Sequence, residues 1–212
     1  MCATVCPARL VRARAARQYV PMSSSWAALC DRPPAGGRLL VATPLLDDPH
    51  FARTVVYLLE HDGGGTVGVI MNRPSRTPVG QVLPDWHSAV SGPAVVFGGG
   101  PVQPDGALCL AQLDGEGPGV RRVVDGVGTV DLDGDITVIS GLAKRLRVFA
   151  GHAGWSPGQL ETEMEEGAWW VVEGTADDLF SMNPDGMWAA VLRRQPWPLS
   201  LVSTYPLDPA LN

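Results

Sequence analysis

Apolar positions in this chain come in short runs broken by Gly, Pro and Asp. Arg38 to Ala42 reads as a short strand ended by Pro44. Thr54 to His61 is β-branched and aromatic-rich, Asp62 to Gly65 is turn chemistry, and Thr66 to Met71 is β-branched again. Together they predict a hairpin. Thr77 to Leu83 is expected to form a short helix before Pro84, and Ala94 to Phe97 and Ala107 to Gln112 are expected to form a second antiparallel pair. Val120 to Val124 and Val127 to Leu132, set among glycines and aspartates, predict twisted edge strands. Ile136 to Leu142 fits strand or helix, and Lys144 to Ala150 reads as a strand.

The period changes in the C-terminal half. Ser156, Pro157 and Gln159 stand where an N-cap, a first helical residue and the far member of a capping box belong. Trp155 and Leu160 are placed to close a hydrophobic staple, and Gly167 to end the helix. Glu161, Glu163, Glu165 and Glu166 predict an acidic outer face, either solvated or offered to a protein partner. Ala168 to Glu173 is a bulky strand, Thr175 a cap for Ala176 to Phe180, and Asp185 to Arg194 a helix burying Met187, Trp188, Val191 and Leu192. Trp155, Trp169, Trp170 and Trp188 are expected to share one core with Phe149 and Phe180. The fold class that follows is α+β: one domain, a twisted, mainly antiparallel sheet with a few short helices.

The run Gly151-His152-Ala153-Gly154-Trp155-Ser156-Pro157-Gly158-Gln159-Leu160, with Glu161, Glu165 and Trp169 after it, resembles the signature of the YqgE/AlgH family. The resemblance extends upstream to Gly37 to Pro44, Phe51 to His61, Gly68 to Pro74 and Gly98 to Val102, in matching order and spacing over about residues 36–195. An aromatic is usual in that family where His152 stands. The resemblance implies an AlgH-like fold and a label as a transcriptional regulator of exopolysaccharide synthesis, with no established catalytic residues to carry over. It divides the chain into an atypical segment 1–35, a domain 36–195 and a tail 196–212.

Hydrophobic residues at 45% and charged residues at 18% describe a globular chain and exclude a disordered one. Uninterrupted apolar stretches such as Val55 to Leu59 fall far short of the ~20 residues that cross a bilayer, so no membrane span is expected. Arg9, Arg12, Arg14 and Arg17 lie in the first 20 residues with no acid, so the formal net charge of −6 becomes −10 over residues 21–212. Such a body repels phosphate backbones, which disfavours direct nucleic-acid binding. The Arg-rich start fits a disordered tail, a start codon placed ahead of a true start at Met22, or a transit peptide. Cys2, Cys6, Cys30 and Cys109 make no disulfide framework, so a reducing, cytoplasmic setting is the simpler expectation.

Candidate chemistry is sparse. Gly63 to Gly68 has the letters of a dinucleotide fingerprint, but a strand follows where a helix N-terminus is needed. Asp131 to Asp135 has the acidic spacing of a calcium loop, with Leu142 where the bidentate Glu belongs. Asp47, Asp48, His50, His61 and His152 lack metal-ligand spacing, and Cys109 sits in an apolar strand. No cofactor, metal or catalytic residue is therefore assigned. One ligand site is: Asn72 and Arg73, the open backbone of Gly98, Gly99 and Gly100, and the turn from His152 to Gln159, if they converge, would line a small site for an anion or carboxylate.

Three functions follow in order. The first is a cytoplasmic, non-enzymatic accessory or regulatory protein with a protein partner or small ligand. The second is a small-molecule or anion binder, or a hydrolase, using those residues. The third is a DNA binder, which requires Arg121, Arg122, Lys144, Arg145 and Arg147 to share one face.

Overall fold

The computed structural model describes residues 32–124 and 126–206. The expectations for residues 1–31, with Cys2, Cys6, Cys30 and the four arginines, lie outside them. Ten strands form one curled sheet: β1 (Arg38–Ala42), β2 (Val55–Asp62), β3 (Gly65–Ile70), β4 (Pro74–Pro78), β5 (Val95–Gly98), β6 (Val102–Leu113), β7 (Val120–Val124), β8 (Val127–Val130), β9 (Ala143–Trp155) and β10 (Trp169–Glu173). Their order is β10-β1-β2-β3-β9-β6-β8-β7, with β4 and β5 attached beside β9. Only the β5–β9 pairing is parallel, so the expected mainly antiparallel α+β class holds. The β2–β3 hairpin forms where the pattern placed it, with the Asp62 carboxylate accepting the Gly64 N–H at 2.7 Å across the turn.

Several pairings differ from expectation. Val95–Gly98 does not pair with Ala107 to Gln112; it lies antiparallel to β4 and parallel to β9, while β6 pairs with β8 and β9. The two prolines of β4 concealed a strand, because Pro is tolerated there only on a strand with an unpaired side. Only β7 of the two valine-rich pieces is an edge; β8 is paired on both sides. Ile136–Leu142 resolves as a helix, α2, capped by the Asp135 carboxylate on the Thr137 N–H at 2.8 Å. It follows a one-turn α1 (Val79–Val82).

The other helices are α3 (Gln159–Glu165), α4 (Ala176–Leu179), α5 (Met187–Arg193) and α6 (Leu199–Val202). Ser156 is not the cap of α3. Gly158, at φ +76, intervenes in the left-handed region, and only half of the expected box forms: Gln159 Oε1 accepts the Ser156 N–H at 3.0 Å. Thr175 and Asp178 make a full capping box on α4, and Arg194 grips the same Asp178 carboxylate at 2.6 and 2.7 Å, tying the end of α5 to α4.

The two faces of the sheet carry separate cores. On the inner face Leu39, Val41, Tyr57, Val69, Leu110 and Phe149 pack under α5 and α6, whose Met187, Trp188, Val191, Leu192 and Leu199 point inward. On the outer face one patch joins Leu40, Val56, Leu58 and Ile70 to Trp155, Leu160 and Trp169 under α3. A second outer patch joins Cys109, Ala111, Leu146 and Val148 to Ile139 of α2 and Trp86. The tryptophans therefore do not share one core: Trp170 and Trp188 are inner, while Trp155 and Trp169 stack edge-on at 5.8 Å on the outer face with Phe51. Neighbouring strand residues point to opposite faces, which is why Trp169 and Trp170 had to part.

Gly151 is where β9 changes phase. Before it, even-numbered Leu146 and Val148 face outward; after it, odd-numbered Ala153 and Trp155 do. The register with β6 slips at the same place, between Val102 opposite His152 and Ala107 opposite Ala150. The slip requires glycine: Gly151 has φ +69, and a Cβ there would lie 2.6 Å from Gly100 O and 2.8 Å from Val102 O.

Candidate functional site

The structure brings six of the seven residues named from the sequence together through their backbones, Gly98 against Arg73 and Gly100 against His152, and sets Gln159 apart. Asn72 is buried and is used as a backbone bracket, its Oδ1 accepting the Val55 N–H at 2.9 Å and its Nδ2 donating to Arg53 O at 2.8 Å. Arg73 donates to Ala52 O at 2.6 Å, and desolvation pulls its guanidinium pKa below the usual value. The N–H groups that Gly98 and Gly99 were expected to offer an anion are spent on Arg73 O and Ala150 O, both at 2.8 Å. Gly99 and Gly100 are required because any Cβ would collide with the backbone of Gly151 and His152. Gln159 belongs to a different network, donating through Nε2 to Glu163 Oε1 at 3.0 Å.

That network also corrects the acidic face of α3. Glu163 is buried and turned inward, its Oε2 accepting both indole N–H groups, from Trp155 at 3.0 Å and from Trp169 at 2.9 Å. The indoles and the Gln159 amide together replace the water this carboxylate would otherwise keep. Glu161 stays outside, 3.5 Å from His61 Nε2.

The five basic residues proposed as a DNA face are scattered. Arg147 is buried on the inner face beneath the loops before β5 and after α4, where its guanidinium donates to Gly92 O and Leu179 O at 2.8 Å and to Ser181 O at 2.9 Å. It lies 4.3 Å from the centre of the Phe97 ring, and burial lowers its pKa to about 10, so it remains charged at neutral pH. Lys144 pairs with Asp114 at 2.7 Å, Arg145 with Asp177, and Arg122 with Glu116 at 3.3 Å. Cys109 is enclosed in the outer core, and burial pushes its thiol up to about 12, leaving it inert.

One named residue, His152, does line a cavity. A half-open cleft of about 410 Å³ lies at the end of the inner face that α5 and α6 do not cover, where the curled sheet brings β7 toward the end of β2. Leu59, Val67, Leu108 and Val123 give it an apolar wall continuous with the inner core. Glu60, Gln103, Arg121, Thr129 and His152 supply polar groups around it. Arg121 and Thr129 are cross-strand partners on β7 and β8, so their side chains share a face. The Arg121 guanidinium makes no hydrogen bond or ion pair with any described residue, unlike that of Arg122. Desolvation lowers the His152 pKa below the ordinary histidine value, so its imidazole is neutral at pH 7, able to donate from one nitrogen and accept at the other.

Gln103, in the β6 slip, is held at φ +48, and the backbone strain sits on the cleft rim. The signal that could have located this rim was in the sequence, since Gln103-Pro104-Asp105-Gly106 is turn chemistry inside a strand. The isolated Arg121 had no sequence signal, because its neighbours' ion pairs depend on partners distant in the chain. Among the described residues no three of His, Cys, Asp and Glu gather to hold a metal ion.

Fold and cleft together define an α+β protein with a curled sheet, helices on both faces and one uncovered concave end. A family model described as AlgH-like matches residues 39–200, and the chain belongs to the AlgH-like family. It is 50% identical to a UPF0301 protein of Streptomyces coelicolor, over 83% of this chain and 94% of that one, and 45% identical to a UPF0301 protein of Mycobacterium ulcerans, over 83% and 90%. Its fold is similar to the crystal structure of a Corynebacterium diphtheriae protein, with 34% identity and a TM-score of 0.77 over 82% of this chain and 94% of that one. The solution structure of the AlgH protein of Pseudomonas aeruginosa is also similar, with 27% identity and a TM-score of 0.62 over 84% and 98%.

Proposed function

We propose that this chain is a cytoplasmic, non-enzymatic accessory or regulatory protein that acts by binding a small molecule in the cleft at the open end of its inner face. The observation that carries this reading is the cleft itself: an apolar wall, a few convergent polar side chains and a volume within the range of small-molecule sites, at the mouth of a curled sheet. Regulation of transcription, where it occurs, runs through that ligand and a protein partner, because Arg147 is buried and Lys144, Arg145 and Arg122 are tied to carboxylates. No helix among the described residues is long and apolar enough to cross a membrane.

The test is a melting-temperature screen against a panel of cellular metabolites, repeated on Thr129→Trp, which fills the cleft from an intermediate-exposure strand position. A ligand at ten times its Kd stabilises by about 1.4 kcal/mol, a shift of about 3–6 °C at this size. The expected result is at least one metabolite that shifts the wild type and not Thr129→Trp. Stabilisation that survives in the filled variant places the ligand elsewhere, and a flat panel removes the proposal.

A further inference from the structure

The chemistry of the cleft defines its ligand more narrowly than size does. Arg121 and Glu60 are the charges on its rim left to consider once Arg122 is assigned to Glu116, and they differ in their place. Arg121 stands beside Thr129 on adjacent strands, so a guanidinium fork and a hydroxyl lie next to one another on one face. Glu60 stands on the opposite wall, on β2. His152, neutral at pH 7, adds a hydrogen-bonding group without a charge. Between the two walls the surface is aliphatic: Leu59, Val67, Leu108 and Val123. Arg121 is also a cation without a partner among the described residues, in a chain whose residues 21–212 carry −10, and unlike the exposed Arg76 and Arg193 it lines the cleft, so a small anion there gains a local attraction beside an apolar wall.

We propose that the cleft binds a small ionised carboxylic acid with an aliphatic body, its carboxylate held by Arg121 and its hydrocarbon laid along Leu59, Val67 and Leu108. This rests on the cleft being the ligand site, as proposed above. A doubly charged inorganic anion is a poorer fit because the aliphatic wall gives it nothing and desolvates it. A neutral alcohol of the same length fills the wall and leaves Arg121 unpaired.

The experiment titrates hexanoate, hexan-1-ol and inorganic phosphate into the full chain, the Arg121→Gln variant and the Arg76→Gln control, with Kd read from amide shifts in two-dimensional NMR. Arg121 and Arg76 are both exposed, so neither variant threatens the fold. Hexanoate is expected to bind the wild type and Arg76→Gln about tenfold or more tighter than hexan-1-ol does, the ratio that one charge-assisted contact contributes. In Arg121→Gln that preference disappears while hexan-1-ol is unchanged. Equal binding of the acid and the alcohol in the wild type, or a preference that survives in Arg121→Gln, overturns the proposal. Phosphate binding as tightly as hexanoate, dependent on Arg121, overturns the aliphatic part of it. If none of the probes binds while a metabolite in the melting screen does, this ligand class is wrong and the cleft stands as a site; if neither experiment shows binding, both fall.

Discussion

The inner face of the sheet is closed at one end and open at the other, and two arginines mark the difference. At the closed end Arg147 lies under the loops before β5 and after α4, with three carbonyls around its guanidinium. At the open end Arg121, on the edge strand β7 three places along the sheet from β9, has the same side chain and no partner among the described residues. The first is consumed by architecture: its two terminal nitrogens donate to three carbonyls, its Nε is buried without a partner among the described residues, and none of these groups is open to a ligand. The second leaves its hydrogen-bonding capacity unspent beside an apolar wall. In one sheet, then, burial with partners produces stability, and exposure without them leaves the side chain that the proposed site uses.

The largest effect expected from breaking this contrast is at the closed end. Arg147→Ala strands three buried carbonyls and should cost about 3–5 kcal/mol in urea unfolding, while Arg121→Ala stays within about 0.5 kcal/mol. Similar losses at both positions would mean that the two ends do not differ as described. Next comes Gly151→Ala, at the phase change that opens the rim. A methyl 2.6 Å from Gly100 O, on a backbone at φ +69, should cost about 2–3 kcal/mol and weaken any ligand the cleft takes. Glu163→Gln, on the outer face, should cost about 1–2 kcal/mol without touching cleft binding, because an amide replaces one of the oxygens that accept from Trp155, Trp169 and Gln159. A change in ligand affinity there would couple the two faces.

The smallest effect is a pH dependence. His152 has its folded-state pKa below the unfolded value, so the folded chain binds its proton less readily than the unfolded chain. Its contribution to stability is full above about pH 6.5 and is lost as pH falls through the folded pKa. The stability profile of His152→Gln should be flatter over that interval, and an unchanged slope would show that His152 is not desolvated.

Local instructions were the legible part of the sequence. The β2–β3 hairpin, the cap at Thr175 and the buried side of α5 are each written in residues a few positions apart, so periodicity and turn chemistry found them. What depended on distant partners was not legible. Glu163 looked like one more exposed acid until two indoles, one on β9 and one on β10, converged on it. Arg147 looked like part of a basic cluster because nothing near it in sequence reveals that Leu179 and Ser181 fold over it. The glycines of 98–100 stand out in the sequence for their open backbone, but Gly99 and Gly100 serve close strand approach, and Gly151 stands out there only as part of the family run although β9 changes phase at it. His152 reached the cleft; the rest of its lining was assembled by the sheet's curl.

The most direct measurement is an amide chemical-shift map of the uniformly ¹⁵N-labelled chain with hexanoate. If the uncovered end of the inner face is a ligand site, the amides of Leu108, Arg121, Thr129 and Gly151 shift in a saturable way, and those of Leu160 and Trp169 on the outer face stay still. Shifts centred on the outer face, or spread evenly over the surface with no saturation, contradict the account.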